Sequence, residues 1–260
     1  MPEFWRAAAA VGLALLAGSA AAHSAPPPSP ATPAAVAAPD RYGADTAAEI
    51  LAAGGNAIDA AVAVAFTLAV TYPEAGNLGG GGFATVLIDG KAYFLDYREC
   101  APGSATAGMY LDAAGQVIPD ASTIGAGAAG VPGTVAGLWQ LHRRFGRLPW
   151  SADLAPALRY AHEGFRVERL LAEERDHFAV ELHGRTNFLA YFGALASDAT
   201  FRQSELESTL RRIAAAGPRG FYAGRTAASW APRPRTPRRG PPSSPASTAG
   251  QCPRSSAAAR

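Results

Sequence analysis

Cysteine, lysine and long apolar runs are scarce in this chain, and each scarcity removes a class of explanation. Only two cysteines occur among 260 residues, Cys100 and Cys252. Neither a disulfide framework nor a zinc spacing can be built from two. A single bridge between them is possible only outside the cytoplasm. Lys91 is the sole lysine, so the heavy use of arginine and alanine points to a GC-rich coding bias, a property of the gene and not of the fold. The five histidines, His23, His142, His162, His177 and His183, never stand at H-E-x-x-H spacing, and no G-x-S-x-G elbow occurs. His142 and His162 fall in ordinary amphipathic helical patterns, which favours structural or surface roles. No apolar run approaches the roughly 20 residues that span a bilayer.

The net charge of +2 is misleading. Seven of the 23 basic residues lie after Gly224, where no acid occurs, which leaves residues 1–224 at −5. A basic surface for nucleic acid or membrane is therefore not a property of the folded part. Hydrophobic content of 48% with 17% charged residues is ordinary for a globular protein, and the length allows one or two domains.

Met1–Ala22 reads as a secretory signal. Arg6 precedes the short apolar stretch Ala7–Leu16, and Ala20-Ala21-Ala22 fits the small-residue cleavage rule. The expected location is periplasmic or secreted, with no membrane association after signal removal. Residues 23–42 form a Pro/Ala-rich linker, with six prolines between Ser24 and Pro39. Residues 225–260 contain seven prolines and no Ile, Leu, Val, Phe, Met or Tyr. Such a segment cannot bury enough surface to offset its ordering entropy, so a disordered tail is expected.

Between linker and tail the pattern is helix, helix, hairpin, then helices. Thr46-Ala47-Ala48-Glu49 has capping-box form and predicts a helix start, with Gly54-Gly55 as its stop. Asn56 predicts a second cap, with Asp59 at the third position. Ala60–Val70 is apolar all round except Thr67, which predicts burial between layers. Phe83–Ile88 and Ala92–Tyr97 flank Asp89-Gly90, the strongest short hairpin signal. A two-residue turn there pairs Ile88 with Lys91, Val86 with Tyr93, Ala84 with Leu95 and Gly81 with Arg98. Both faces of Phe83–Ile88 are largely apolar, which predicts a strand covered on both sides. Helices are further predicted from Val131-Pro132-Gly133 to Phe145, from Pro149–Ser151 to Gly164, over Arg166–Glu181, and around Leu206, Leu210 and Ile213 up to Gly217.

The candidate chemistry gathers at Gly76-Asn77-Leu78-Gly79-Gly80-Gly81-Gly82 and Arg98. Glycine permits close approach of a ligand to bare peptide, and arginine grips a carboxylate with two parallel hydrogen bonds. The competing reading is a structural ion pair between Arg98 and Glu99. Gly125–Gly130 satisfies G-x-G-x-x-G literally, but Ala121-Ser122-Thr123-Ile124 is a poor strand, so a dinucleotide site is rejected. Cys100 beside Glu99 has no evident base, which favours packing over nucleophilic catalysis.

Five motifs in order resemble the large-subunit half of the gamma-glutamyltranspeptidase (glutathione hydrolase) family. They are Ile50–Ala63, Gly76–Phe83, Asp96-Tyr97-Arg98-Glu99-Cys100-Ala101-Pro102, Val131–Gly137 and Gly217–Gly224. The resemblance covers residues 43–224. It implies an α+β, N-terminal-nucleophile hydrolase-type αββα sandwich, present here as its N-terminal half. It also implies acyl transfer from γ-glutamyl compounds such as glutathione by a threonine nucleophile, with no cofactor, no metal and no nucleic-acid partner. Arg98 stands where the family's arginine holds the substrate α-carboxylate. Cys100 takes a place usually held by another small or apolar residue. The family's Thr-Thr-His motif is absent, so no catalytic residue is assigned, and a small subunit carrying the nucleophile is the expected partner. The chain alone is then expected to be inactive. The alternative is a non-catalytic binding or partner subunit that needs a separate small chain. The composition break after Gly224 is expected to mark a shift of reading frame near Arg225.

Overall fold

The computed structural model describes residues 34–230. The predicted signal segment, most of the predicted linker and the part of the predicted tail beyond Trp230 lie outside the described residues. Asp40 starts the first helix, α1 (Arg41–Ala52). Its Oδ1 accepts from Gly43 N at 2.7 Å, and its Oδ2 accepts from Thr71 Oγ1 at 2.6 Å. One carboxylate thus caps α1 and ties it to the end of the next helix. The helix begins five residues before the predicted capping box at Thr46, because Thr46 is needed elsewhere. Its buried hydroxyl lies 3.1 Å from that of Thr67. Arg41 and Tyr42 consequently belong to the folded unit and not to the linker. Tyr42 is buried, and its hydroxyl donates to Arg166 O.

Helix α2 (Ala57–Thr71) starts with the predicted capping box of Asn56 and Asp59. Val62, Ala63, Phe66, Thr67 and Val70 are fully buried, so the helix is central, as its all-round apolarity predicts. It packs on α1 and on α4, described below.

Strands β1 (Phe83–Ile88) and β2 (Lys91–Asp96) form the expected antiparallel hairpin. The register runs from Phe83 opposite Asp96 to Ile88 opposite Lys91, and includes both predicted inner pairs. Asp89 and Gly90 turn the chain with φ of 49° and 73°, the left-handed pair that a tight hairpin turn requires. Pairing continues past the strands: Tyr97 N donates to Gly82 O at 3.0 Å. One expectation fails. Ala84, Val86, Ile88 and Leu95 pack on the core, but Phe83, Leu87 and Phe94 are exposed. The strand is covered on one face only, since the described residues lay no second layer over the hairpin.

After a short 3-10 turn at Ala126–Ala128 come α3 (Thr134–Phe145), α4 (Trp150–Glu163), β3 (Phe165–Arg166), α5 (Arg169–Glu181) and α6 (Phe188–Phe192). The chain continues as β4 (Thr200–Phe201), α7 (Ser204–Ala216), α8 (Arg219–Tyr222) and α9 (Gly224–Trp230). The Phe165–Arg166 segment pairs antiparallel with β4, so the helix predicted from Arg166 starts three residues later. Pro156 sits in the middle of α4. Helix α9 carries the ordered structure past the predicted limit at Gly224. Buried Thr226 explains this, because its hydroxyl donates to Gly220 O and accepts from Arg212 Nε.

The described residues thus form a helical body with two two-stranded antiparallel ladders. A four-layer αββα sandwich is not formed among them. No helix in this region is long and apolar enough to cross a membrane. The tightest packing is around Tyr97, where a Cβ added at Gly133 or Gly137 would overlap Tyr97 atoms. Helix propensity alone favours alanine over glycine inside α3 by about 1 kcal/mol. The overlap at Gly137 falls on Tyr97 Cβ and Cγ, atoms too close to the backbone to swing away. Gly137→Ala is therefore expected to cost about 1–3 kcal/mol net, read as a lower urea midpoint of the full chain. An unchanged or higher midpoint would show that the overlap is not a real constraint.

Candidate functional site

Four of the five motifs meet at the start of α3. Asn77 Oδ1 accepts from Gly80 N at 2.7 Å and from Thr134 Oγ1 at 2.9 Å. Gly80 O in turn accepts from Gly133 N and Thr134 N, at 2.7 and 3.1 Å. The glycine run therefore holds the first backbone donors of α3, which have no partner within the helix. Tyr222, from Gly217–Gly224, donates its hydroxyl to Pro132 O and accepts from Ala136 N. Tyr97, from the Asp96–Pro102 motif, is packed against Gly82, Gly133 and Gly137. Burial raises the pKa of both tyrosines, so both hydroxyls stay protonated at neutral pH. Sequence reasoning treated these motifs separately, and only their shared glycine content hinted that they pack on one another.

The remaining motif grips the other end of α3. Asn56 Nδ2 donates to Phe145 O at 2.7 Å. Asp59 accepts from Asn56 N, from Arg147 N with both oxygens, and from Leu148 N. A fully buried carboxylate is thereby satisfied by backbone donors alone.

Arg98 sits at the edge of this assembly. The backbone register is as predicted, with Gly81 closely approaching residues 97–99. The side chain does not lie over the glycine run. Its guanidinium is 67% exposed, with Nε 4.0 Å from Glu99 Oε1, which is the competing ion-pair arrangement. Arg98 N donates to Asp96 Oδ1 at 3.0 Å. The cavity that Arg98 lines, about 250 Å³, also includes Glu99, Tyr110 and Gly127–Gly130, and none of Gly79–Gly82. Gly125–Gly130 makes no strand-to-helix phosphate loop, because only the 3-10 turn follows Gly125. Cys100 is not a free thiol, and Cys252 lies outside the described residues.

A second polar cluster was invisible in the sequence. His142 near the end of α3 and Asp153 in the first turn of α4 come together beside Asp59, and one ligand atom from each lies within 4.8 Å of the others. Asp153 is fully buried, and neither of its oxygens has a hydrogen-bond partner. His142 Nε2 is 2.9 Å from Leu148 O and 3.7 Å from Asp153 Oδ2. No spacing rule links residues 59, 142 and 153, so only the fold reveals the group.

With this geometry in place, comparison with known proteins identifies the class. Residues 43–233 match the family model for gamma-glutamyltranspeptidase. The chain belongs to the gamma-glutamyltranspeptidase family. It is 60% identical over 193 residues to the glutathione hydrolase proenzyme of Pseudomonas aeruginosa, covering 74% of this chain and 35% of that relative. The glutathione hydrolase proenzyme of Escherichia coli is 37% identical over 244 residues, covering 86% of this chain and 42% of the relative. Among solved structures, the gamma-glutamyltranspeptidase of Pseudomonas nitroreducens superposes with a TM-score of 0.74 at 58% identity, over 76% of this chain and 59% of that one. The Helicobacter pylori enzyme gives 0.72 at 37% identity, over 77% and 60%. The chain spans roughly a third to two fifths of the length of the curated relatives it matches.

Burial, reinforced by repulsion from Asp59, pushes the Asp153 carboxyl up to about 8 from the usual 3.8. In the unfolded chain the same group loses its proton near 3.8, so between about 4 and 8 the folded state binds one proton more. Folding stability contributed by this group therefore falls as pH rises through that window, by up to about 1.4 kcal/mol per pH unit, and levels off above it. Urea denaturation of the metal-free full chain at pH 5 and pH 8 is expected to show this loss. Asp153→Asn is expected to flatten it, and an equal slope in the two proteins would contradict the assignment.

Proposed function

We propose that this chain is the glutamate-recognising portion of an exported enzyme that transfers or hydrolyses γ-glutamyl groups of compounds such as glutathione. The support is the family membership together with Arg98 standing in the Asp96-Tyr97-Arg98-Glu99 motif, beside a cavity of a size suited to a small ligand. In this reading the guanidinium takes the substrate α-carboxylate with two parallel hydrogen bonds. The weak, exposed contact to Glu99 costs little to exchange for a ligand. The exposed Arg98 side chain is accessible to such a substrate.

The nucleophilic threonine comes, in this proposal, from sequence corresponding to the part of the relatives that this chain does not span. The name proenzyme carried by several relatives supports a product made of two processed parts. The exposed face of Phe83, Leu87 and Phe94, with the first and last rings stacked at 5.8 Å, is where that part packs and completes the αββα sandwich. An open face and open strand edges of this kind aggregate unless covered. Export to the periplasm or beyond rests on the character of Met1–Ala22.

Incubation with a chromogenic γ-glutamyl anilide tests the proposal. The full chain alone is expected to release no chromophore. Addition of the separately expressed remainder of the P. aeruginosa relative is expected to restore release. In the reconstituted enzyme Arg98→Ala is expected to weaken substrate binding by about 2–5 kcal/mol, seen in KM. Arg98→Lys rescues only in part, because it lacks the planar fork. An unchanged KM in the alanine variant would refute the role of Arg98 while leaving family membership intact.

A further inference from the structure

We propose that Tyr110 is a positioning residue of the γ-glutamyl site, holding Gly127–Gly130 in place as part of the wall of the cavity that Arg98 lines. The inference rests on the assignment of Arg98 to the substrate α-carboxylate and adds a residue to that site. It starts from the stretch of chain between Cys100 and Val131. These two pair across the base of a loop, with Cys100 N donating to Val131 O at 3.1 Å and Val131 N donating to Cys100 O at 2.7 Å. Residues 101–130 leave and return between them, and hold no strand and no helix beyond the 3-10 turn at Ala126–Ala128. Loops of more than about 15 residues are uncommon in compact domains and mostly serve binding. This one brings Tyr110 from its outgoing limb and Gly127–Gly130 from its returning limb to the cavity beside Arg98.

Within the loop Tyr110 is held by its backbone and used by its hydroxyl. Ile118 N donates to Tyr110 O at 2.9 Å and Asp112 N donates to Gln116 O at 2.8 Å, so Tyr110 opens a small hairpin. Asp112 Oδ1 closes its turn by accepting from Ala114 N and Gln116 N. The Tyr110 hydroxyl then donates to Gly127 O at 2.9 Å and joins the two limbs beside the cavity. Gly130, at the end of the same segment, lies against Glu99: a Cβ there would meet Glu99 Cγ at 3.0 Å and Glu99 Cβ at 3.1 Å. Glu99 is in turn the residue beside the Arg98 guanidinium. A path of contacts therefore runs from Tyr110 through Gly127–Gly130 and Glu99 to Arg98. The far side of the loop is tied separately, by the ion pair of Asp120 with Arg185 at 2.6 Å. Loss of the Tyr110 hydroxyl therefore frees the cavity wall without unfolding the loop. A single exposed hydrogen bond contributes little to global stability, but a wall formed for only part of the time lowers apparent affinity in proportion.

The experiment measures glutathione binding to the full chain by saturation-transfer NMR, with the urea midpoint and amide exchange of each variant alongside. Tyr110→Phe keeps the ring and removes only the hydroxyl. It is expected to weaken glutathione binding about three- to tenfold while leaving the urea midpoint unchanged. Exchange of the Ala128 amide, which donates to Gly125 O, is expected to speed up, and the Val131 amide at the loop base to keep its protection. Arg98→Ala is expected to abolish binding, and His177→Ala, exposed on α5, to leave it unchanged. Affinity retained within twofold in Tyr110→Phe, with binding lost in Arg98→Ala, overturns the positioning role and leaves the Arg98 assignment standing. Weaker binding accompanied by a lower urea midpoint overturns it too, since Tyr110 then acts on the fold as a whole. Glutathione binding that survives Arg98→Ala, or is absent from the unvaried chain, overturns the Arg98 assignment and the role of Tyr110 with it.

Discussion

The structure depends on how helix α3 is held at its two ends. A helix of 12 residues has orphan backbone groups at each terminus and little stability of its own. Here the N-terminal donors are taken by Gly80 O and the first-turn hydroxyl by Asn77. At the far end Asn56 takes the carbonyl of Phe145, and Asp59 takes the amides that follow. Neither clamp is local, since the partners lie more than 50 residues apart in the chain. The motifs that mark the family therefore act first as a bracket for one helix.

That bracket sets the position of Arg98. Tyr97 cannot shift without colliding with Gly133 and Gly137, which move only if α3 moves. The next residue along is the arginine, whose backbone lies on Gly81 and whose side chain extends into solvent beside Glu99. Asp59 serves a double purpose in this arrangement. It secures the far end of α3, and it is the anchored member of the cluster with His142 and Asp153.

Much of the local structure was legible in the sequence, and long-range features were not. Asp89-Gly90 determines a two-residue turn, and from the turn alone the whole hairpin register follows down to Gly82 and Tyr97. Asn56 and Asp59 announced their capping box because both partners lie within one turn. Thr46 misled for the complementary reason. Its capping-box spacing is intact, but its hydroxyl is used by Thr67 from another helix, and Asp40 caps instead. The strand Phe83–Ile88 reads as buried because the sequence records its apolar residues without recording whether anything covers them. The convergence of the glycine motifs on Tyr97, and of residues 59, 142 and 153 on one point, depends on packing across three helices. No periodicity carries that information.

Amide hydrogen exchange on the full chain tests the bracket most directly. If α3 is held as described, the amides of Gly133 and Thr134 at one end, and of Arg147 and Leu148 at the other, exchange as slowly as those in the centre of α2. Rapid exchange at these four amides while α2 remains protected would contradict the account.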